Sequence, residues 1–363
     1  MPDDLSFRSA RIEGASEDQL QAELRRLRAT DGLPVILPTP ERVEQMLFAA
    51  AIAGYDRDLV IGEVGPNMGE ATVEKIAINA VMAGCGEEHL PVVIAAISAL
   101  CDPVLDTYLT EVTTHQVTPM LIVNGPAAEI AGVASGFGAL GYGHRGNLCI
   151  GRAVRLCLIN LGGTWPGLSA MSVLSQPATL AYCLAEDEAA SPFEPLQVAL
   201  GYAPEQSVVT VTGQGAPVSV FIPPTEDGSP MGERILELLA LAIANPANNV
   251  ASGGRGTVVV ILSPDHARAL HQDGYGRAEI ARELSRRAVN PLGLMRRLRG
   301  GLPPYDMETP FPAISHPEDV LVLVAGGPGV YSTVTTPWGG GPHNNTHVSR
   351  EIVFSDSCEV GGH

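Results

Sequence analysis

Two kinds of apolar pattern alternate along the chain. The first has helical spacing. SEDQLQAELRRLRA, residues 16–29, opens with Ser16 and Gln19 placed as a capping box. PERVEQMLFAAAIAG starts at Thr39-Pro40, ATVEKIAINAVMAG stops at Gly84, and LPVVIAAISAL follows His89. The second pattern is a continuous Val/Ile/Leu run. PMLIVNG (119–125), SVVTVTG (207–213), TVVVILS (257–263) and EDVLVLVAGG (318–327) read as buried strands, with TLAYCLAEDE as a fifth. Runs of this kind between helical segments predict an α/β fold with mainly parallel strands covered by helices. Each of the four runs ends in turn residues: Asn124-Gly125-Pro126, Gly213-Gln214-Gly215, Ser263-Pro264-Asp265 and Gly326-Gly327-Pro328. Ligands of open α/β sheets bind at the carboxyl ends of strands, so these loops mark the rim to search.

The pattern also repeats. GPNMGEATVEKIAINAVMAG and GSPMGERILELLALAIAN both place Met-Gly-Glu before an apolar helix. LIVNGPAAEIAGVASGFGALGYG and VVILSPDHARALHQDGYG both run strand, proline turn, short helix, Gly-Tyr-Gly. A further helix follows each. The expectation is an internally duplicated chain. It has an N-terminal helical extension at 1–36, α/β halves at 37–195 and 196–353, and a tail at 354–363, with a site at the seam between the halves.

GFGALG, residues 136–141, spells the dinucleotide fingerprint G-x-G-x-x-G. A working fingerprint follows its strand directly and has an acidic residue about 20 positions on. Here a helical segment intervenes, and the acidic position falls in LCLINLGG. The stretch therefore reads as a loop entering the helix near Asn147, whose first N–H groups would hold an anion. No nucleotide or other cofactor is expected, and no P-loop or G-x-S-x-G elbow occurs.

Charge narrows the function classes. Net charge is −18, which argues against nucleic acid and anionic membranes as partners. The local exception is 282–299, which holds six arginines and reads as a solvated helix or interface. No apolar run reaches the roughly 18 residues of a membrane span, and the acidic start is unlike a secretory signal. Six cysteines without C-x-x-C suit a cytoplasmic protein with buried thiols. The expected partner is thus a small anionic molecule, with a homo-oligomer as the expected assembly.

The candidate chemistry starts from one count: 21 basic residues are arginine and one, Lys75, is lysine. Arginine replaces lysine where only charge matters, but it does not replace a titratable amine. Thr72, Lys75, Asn79 and Met82 share one helical stripe. Glu74 and Glu70 are the near carboxylates. Cys85 is a candidate nucleophile, although the C-terminal end of a helix disfavours a thiolate. His115 and His144 are acid–base candidates. Arg145 and Arg152 would clamp a carboxylate or phosphate, with Asn124, Asn147 and Gly327 at strand-end loops. His343 and His347 have the i,i+4 spacing of two metal ligands, but GPHNNTH reads as loop and no third ligand accompanies them.

With GEATVEKIAINAVMAGC, HLPVVIAA, TTHQVTPMLIVNGP, SGFGALGYGHRGNLCIGRAVRLCLINLGG, SPFEPL and EDVLVLVAGGPG in view, the chain resembles a family of bacterial proteins associated with UGSC-motif (seleno)proteins. The resemblance runs from about residue 37 to 352. It implies thiol or selenol chemistry on a small organic substrate, with cleavage or reduction of a carbon–heteroatom bond. It carries over Glu74, Lys75, Cys85, His115, Asn124, Arg145 and Arg152. The UGSC motif itself is missing, so that redox group would lie on a separate thiol or selenol partner protein. The chain departs from the family at His144, where tryptophan is expected, and at GGPGVYS. Three functions follow as expectations. One is a lyase or hydrolase-like enzyme acting on a small anion at the seam. The second is a non-catalytic partner subunit. The third is a metal-dependent hydrolase using His343 and His347.

Overall fold

Apolar strands sort their side chains by period 2, and here that alternation builds three cores from two sheets. The computed structural model describes residues 7–225, 228–300 and 306–354. In chain order the elements are α1 (Glu17–Arg26), α2 (Pro40–Ile52), β1 (Val60–Val64), β2 (Gly69–Thr72), α3 (Val73–Ala83), α4 (Leu90–Leu100) and α5 (Thr107–Val112). Then come β3 (Thr118–Asn124), α6 (Ala127–Ile130), α7 (Arg145–Asn160), β4 (Cys183–Ala185), α8 (Leu196–Ala199), β5 (Val208–Gln214) and β6 (Val218–Phe221). The rest are α9 (Gly232–Ile243), β7 (Val258–Leu262), α10 (Pro264–Gln272), α11 (Arg277–Arg287), β8 (Val289–Pro291), α12 (Leu292–Arg299), β9 (Pro310–Pro312), β10 (Val320–Val324), β11 (Tyr331–Thr335) and β12 (His347–Glu351).

The first sheet has the order β12-β5-β3-β4 and the second β10-β7-β11-β6. Leu121, Val123, Val209 and Val211 face α2, α3, α4 and α7 in one core. Val258, Val260, Val322 and Val324 face α9, α10 and α11 in another. The alternate residues, Met120, Ile122 and Leu184 against Val259, Ile261, Leu321 and Leu323, meet in a third core between the sheets. The architecture is four layers, helices–sheet–sheet–helices.

This corrects the expectation of mainly parallel strands. Only β3–β4 and β7–β10 pair parallel; β3–β5, β5–β12, β7–β11 and β11–β6 pair antiparallel. A strand reads as a continuous apolar run when both its faces are covered, and here the second cover is another sheet rather than more helices.

The chain passes between the sheets twice. β5 completes pairing in the first sheet, yet β6, three residues later, pairs in the second. β11 lies in the second, yet β12 returns to the edge of the first. Gln214 stitches this crossing. Its amide donates to Thr257 O at 2.8 Å and accepts from the Thr335 hydroxyl at 2.8 Å, all fully buried. Among the described residues no single helix is long and apolar enough to cross a membrane.

Candidate functional site

α3 carries the sole lysine, and local sequence sets its start and stop. Thr72 caps it by accepting from Lys75 N at 3.3 Å, and Gly84 ends it in the left-handed conformation. Its Val73, Ile76, Ala77 and Ala80 face is fully buried. The other stripe, Lys75, Asn79 and Met82, together with Ile78, lines a cavity of about 740 Å³. The segment 7–13 forms the opposite wall, and Leu20, Leu24, Leu37, Val43 and Leu161 complete it.

Glu74, one residue before Lys75, ties that wall down. Its buried carboxylate accepts from Ser9 N at 2.9 Å, from the Ser9 hydroxyl at 2.6 Å and from Arg57 Nη2 at 3.0 Å. Burial alone would raise its pKa; the Ser9 and Arg57 bonds outweigh it and hold the carboxyl below its ordinary value. The Arg57 guanidinium also stacks 4.9 Å over the Phe7 ring, and Arg8 pairs with Asp58 at 3.1 Å. Within the cavity, Lys75 Nζ donates to Glu70 O at 2.9 Å. Asn79 donates to Lys75 O at 2.9 Å and accepts from Asn160 Nδ2 at 2.6 Å. The charged lining is Arg8, Arg11, Lys75 and Glu13, three cations to one carboxylate in a chain of net charge −18.

The other sequence-derived candidates lie apart from this cavity. Cys85 is half-buried, and burial pushes its thiol well above the ordinary range, with Cys149 and Cys157 adding to the rise. Arg145 beside it contacts Glu88 at 3.6 Å and donates to Gly84 O at 3.2 Å. Arg152 makes a bidentate pair with Asp31, at 2.7 and 3.0 Å, and donates to Pro34 O. Arg145 and Arg152 therefore serve separate partners rather than one clamp. Asn147 is spent on the glycine loop, donating to Ala134 O and Ala139 O and accepting from Ala134 N. His144 donates Nε2–H to Phe137 O at 2.9 Å. The loop then crosses to the second sheet, where Ser135 O accepts from Gly326 N and a Cβ on Gly327 would overlap the Phe137 ring. His115 is half-buried with Nδ1 unpartnered, and burial lowers its pKa.

The metal reading loses its geometry. His343 Nδ1 donates to Asp106 at 3.1 Å, while His347 lies on β12 and its Nδ1 meets the Thr257 hydroxyl at 3.1 Å. Among the described residues no group of three or more His, Cys, Asp or Glu could hold a metal ion.

At the strand-end rim, Asn124 belongs to a cluster whose other members, Glu186, Glu188 and Arg277, sequence reasoning missed. Asn124 Nδ2 donates to Glu186 at 2.7 Å and to Glu188 at 3.2 Å. Arg277, which opens α11, closes a buried bridge at 2.8 Å to Glu186, the residue directly after β4 of the first sheet. Its position directly after Gly274-Tyr275-Gly276 was the available signal. No family model, curated protein or solved structure matches the chain.

Proposed function

We propose that the chain receives a small organic anion with an apolar body in the cavity beneath residues 7–13. The observation that carries this reading is the lining: apolar walls from α1, α2 and α3, and an excess of cations in a strongly acidic protein. A concave, mostly apolar site with a few placed polar groups is the usual form of a small-molecule site. The apolar body would lie along Leu24, Val43, Ile78 and Met82, with the anionic group at Lys75 Nζ and the Asn79–Asn160 pair below it.

The enzymatic form of this reading is a lyase or hydrolase-like step on a carbon–heteroatom bond, with Lys75 as the acid–base group. The second form is a binding component that presents the anion to a separate thiol or selenol protein. The lining supports the second form, because it holds neither histidine nor cysteine, and the raised Cys85 thiol is a poor resident nucleophile.

Calorimetry with octanoate, octanol and butyrate on the whole chain tests the site. Octanoate should bind tightest, and Lys75→Ala should weaken it about tenfold, or 1.4 kcal/mol. Equal binding of octanol and octanoate, or an unaffected Lys75→Ala, would overturn the assignment. Lys75→Arg separates charge from chemistry: retained binding with lost turnover marks an enzyme.

We also infer that the two layers are copies of one duplicated unit. Each sheet runs parallel, antiparallel, antiparallel from one edge, as β4-β3-β5-β12 and β10-β7-β11-β6. β3 and β7 are the strands that the sequence repeat aligns; the Met-Gly-Glu segments lie just before α3 and at the start of α9. In each copy the last strand has been exchanged with the other.

A further inference from the structure

The second half holds a cleft that shares no residue with the Lys75 cavity. It has a volume of about 370 Å³ between Arg255, Arg299, Trp338, Asn249 and Ser252. Among the described residues no carboxylate lines it, although the chain has 40 acidic residues.

Each wall has a defined state. Arg299 is held by its Nε and Nη2 groups, which donate to Pro246 O at 2.9 and 2.7 Å and to Asn248 O at 2.8 Å; its Nη1 has no acceptor among the described residues. Arg255 is exposed and has neither a hydrogen bond nor an ion pair among the described residues. The Ser252 hydroxyl is buried and unpartnered. Asn249 reaches Trp338 O at 3.5 Å, fixing the segment that carries the indole. Beyond Trp338 the chain turns back under the ring: Gly339 has a φ of +70°, and a Cβ on Gly340 would stand 2.6 Å from the indole. The tryptophan is thus seated by glycines, which leaves its ring as a wall.

We propose that this cleft is a binding site for a planar organic anion. A carboxylate or phosphate sits on Arg255 and the free Nη1 of Arg299, with the Ser252 hydroxyl as a further donor, and the ring lies on the Trp338 indole. Guanidinium forks match planar oxyanions, and their charges here face no competing carboxylate. Aromatic stacking favours a ring-bearing ligand over a bare ion. The site also absorbs one end of the arginine-rich run at 282–299, which the Lys75 cavity leaves unused.

The chain has two tryptophans, so Trp165→Phe leaves Trp338 as the sole indole reporter. Benzoate, inorganic phosphate and benzyl alcohol are titrated against its fluorescence. Benzoate should give a saturable change, phosphate should bind at least fivefold more weakly, and benzyl alcohol should give none. Arg255→Ala should weaken benzoate at least tenfold, with partial recovery in Arg255→Lys, whereas Lys75→Ala should leave the indole signal unchanged. Calorimetry on Trp338→Phe gives an independent reading and should show weakened benzoate binding. No saturable change with benzoate, an unaffected Arg255→Ala, or equal response to benzyl alcohol would overturn the proposal. Phosphate binding as tight as benzoate would overturn the role of the ring.

Discussion

Glu74 grips Ser9 twice, through its backbone N–H at 2.9 Å and its hydroxyl at 2.6 Å. The bond holds the N-terminal wall of the cavity to the helix that carries Lys75, so access to the cavity and stability of the wall are linked. Ser9→Ala should lower the stability of the chain by about 1 kcal/mol while raising the rates of ligand entry and exit. Stopped-flow binding of octanoate measures the rates; unchanged rates would mean that the wall does not open for entry.

The same carboxylate sets an acid limit. Its folded pKa is depressed, so its contribution is present above the unfolded value of about 4.3 and is lost as pH falls through the folded one. Urea unfolding between pH 3 and 7 should show falling stability below about pH 4. Glu74→Gln should flatten that limb. Glu74→Ala, which leaves Ser9 without its acceptor and Arg57 with Glu44 alone at 2.9 Å, should cost about 1–3 kcal/mol at neutral pH.

Arg277 and Glu186 form a bridge whose side chains are 9% and 0% exposed. Removing one member leaves a buried charge alone, so Arg277→Ala should cost about 3–5 kcal/mol in a denaturant titration. Arg277→Lys should recover part of that loss, because a single nitrogen, Nη2, makes both contacts, to Glu186 and to Glu194 O at 2.6 Å, and an ammonium can also give two such bonds. A lysine that restored wild-type stability would show that charge alone is enough.

The thiols should be slow. Burial raises Cys85 and Cys157 well above the usual range and pushes Cys101 to about 11. In a Cys358→Ser variant, which removes the one cysteine outside the described residues, alkylation of the folded chain at pH 8 should run at least about tenfold slower than that of free cysteine. Mass spectrometry after timed iodoacetamide treatment reads it. Fast labelling at Cys85 would return it to consideration as a nucleophile.

Asn79 fills both of its roles within hydrogen-bond distance, as donor to Lys75 O and acceptor from Asn160. Asn79→Ala should cost about 1 kcal/mol, since Asn160 is exposed and keeps its bond to Ala29 O at 3.3 Å, and should weaken octanoate binding with it. Unchanged binding would place the anion nearer Arg8 and Arg11 than the α3 stripe.

Helical spacing was enough to place Lys75, Asn79 and Met82 on one face, and that face does line the cavity. The facing wall was not legible, because residues 7–13 are coil without periodicity and their hold comes from side chains some 50 to 65 positions on, Arg57, Asp58 and Glu74. The four long strands could be read from their apolar runs. β6, β11 and β12 were hidden by half-exposed, partly polar patterns, and β12 begins inside GPHNNTH, whose glycine and asparagine read as loop. Arg152 illustrates a different limit. A lone arginine in sequence looks available, but its partner, Asp31, lies in a loop 121 positions away. Arg277 was missed for the converse reason: an arginine-rich helix reads as solvated, and nothing in its own segment reveals Glu186.

The crossing at Gln214 has a consequence for the order in which the chain can be completed. The first sheet receives its edge strand only from residues 347–351. A ribosome-bound chain that has already made β3, β4 and β5 must therefore hold an unfinished sheet edge until residues 347–351 have emerged. Open edges of this kind are where growing chains aggregate. The return of β12 makes completion of the first sheet wait for a strand made more than 130 residues after β5, so loss of residues 347–351 would reopen an edge formed much earlier in synthesis.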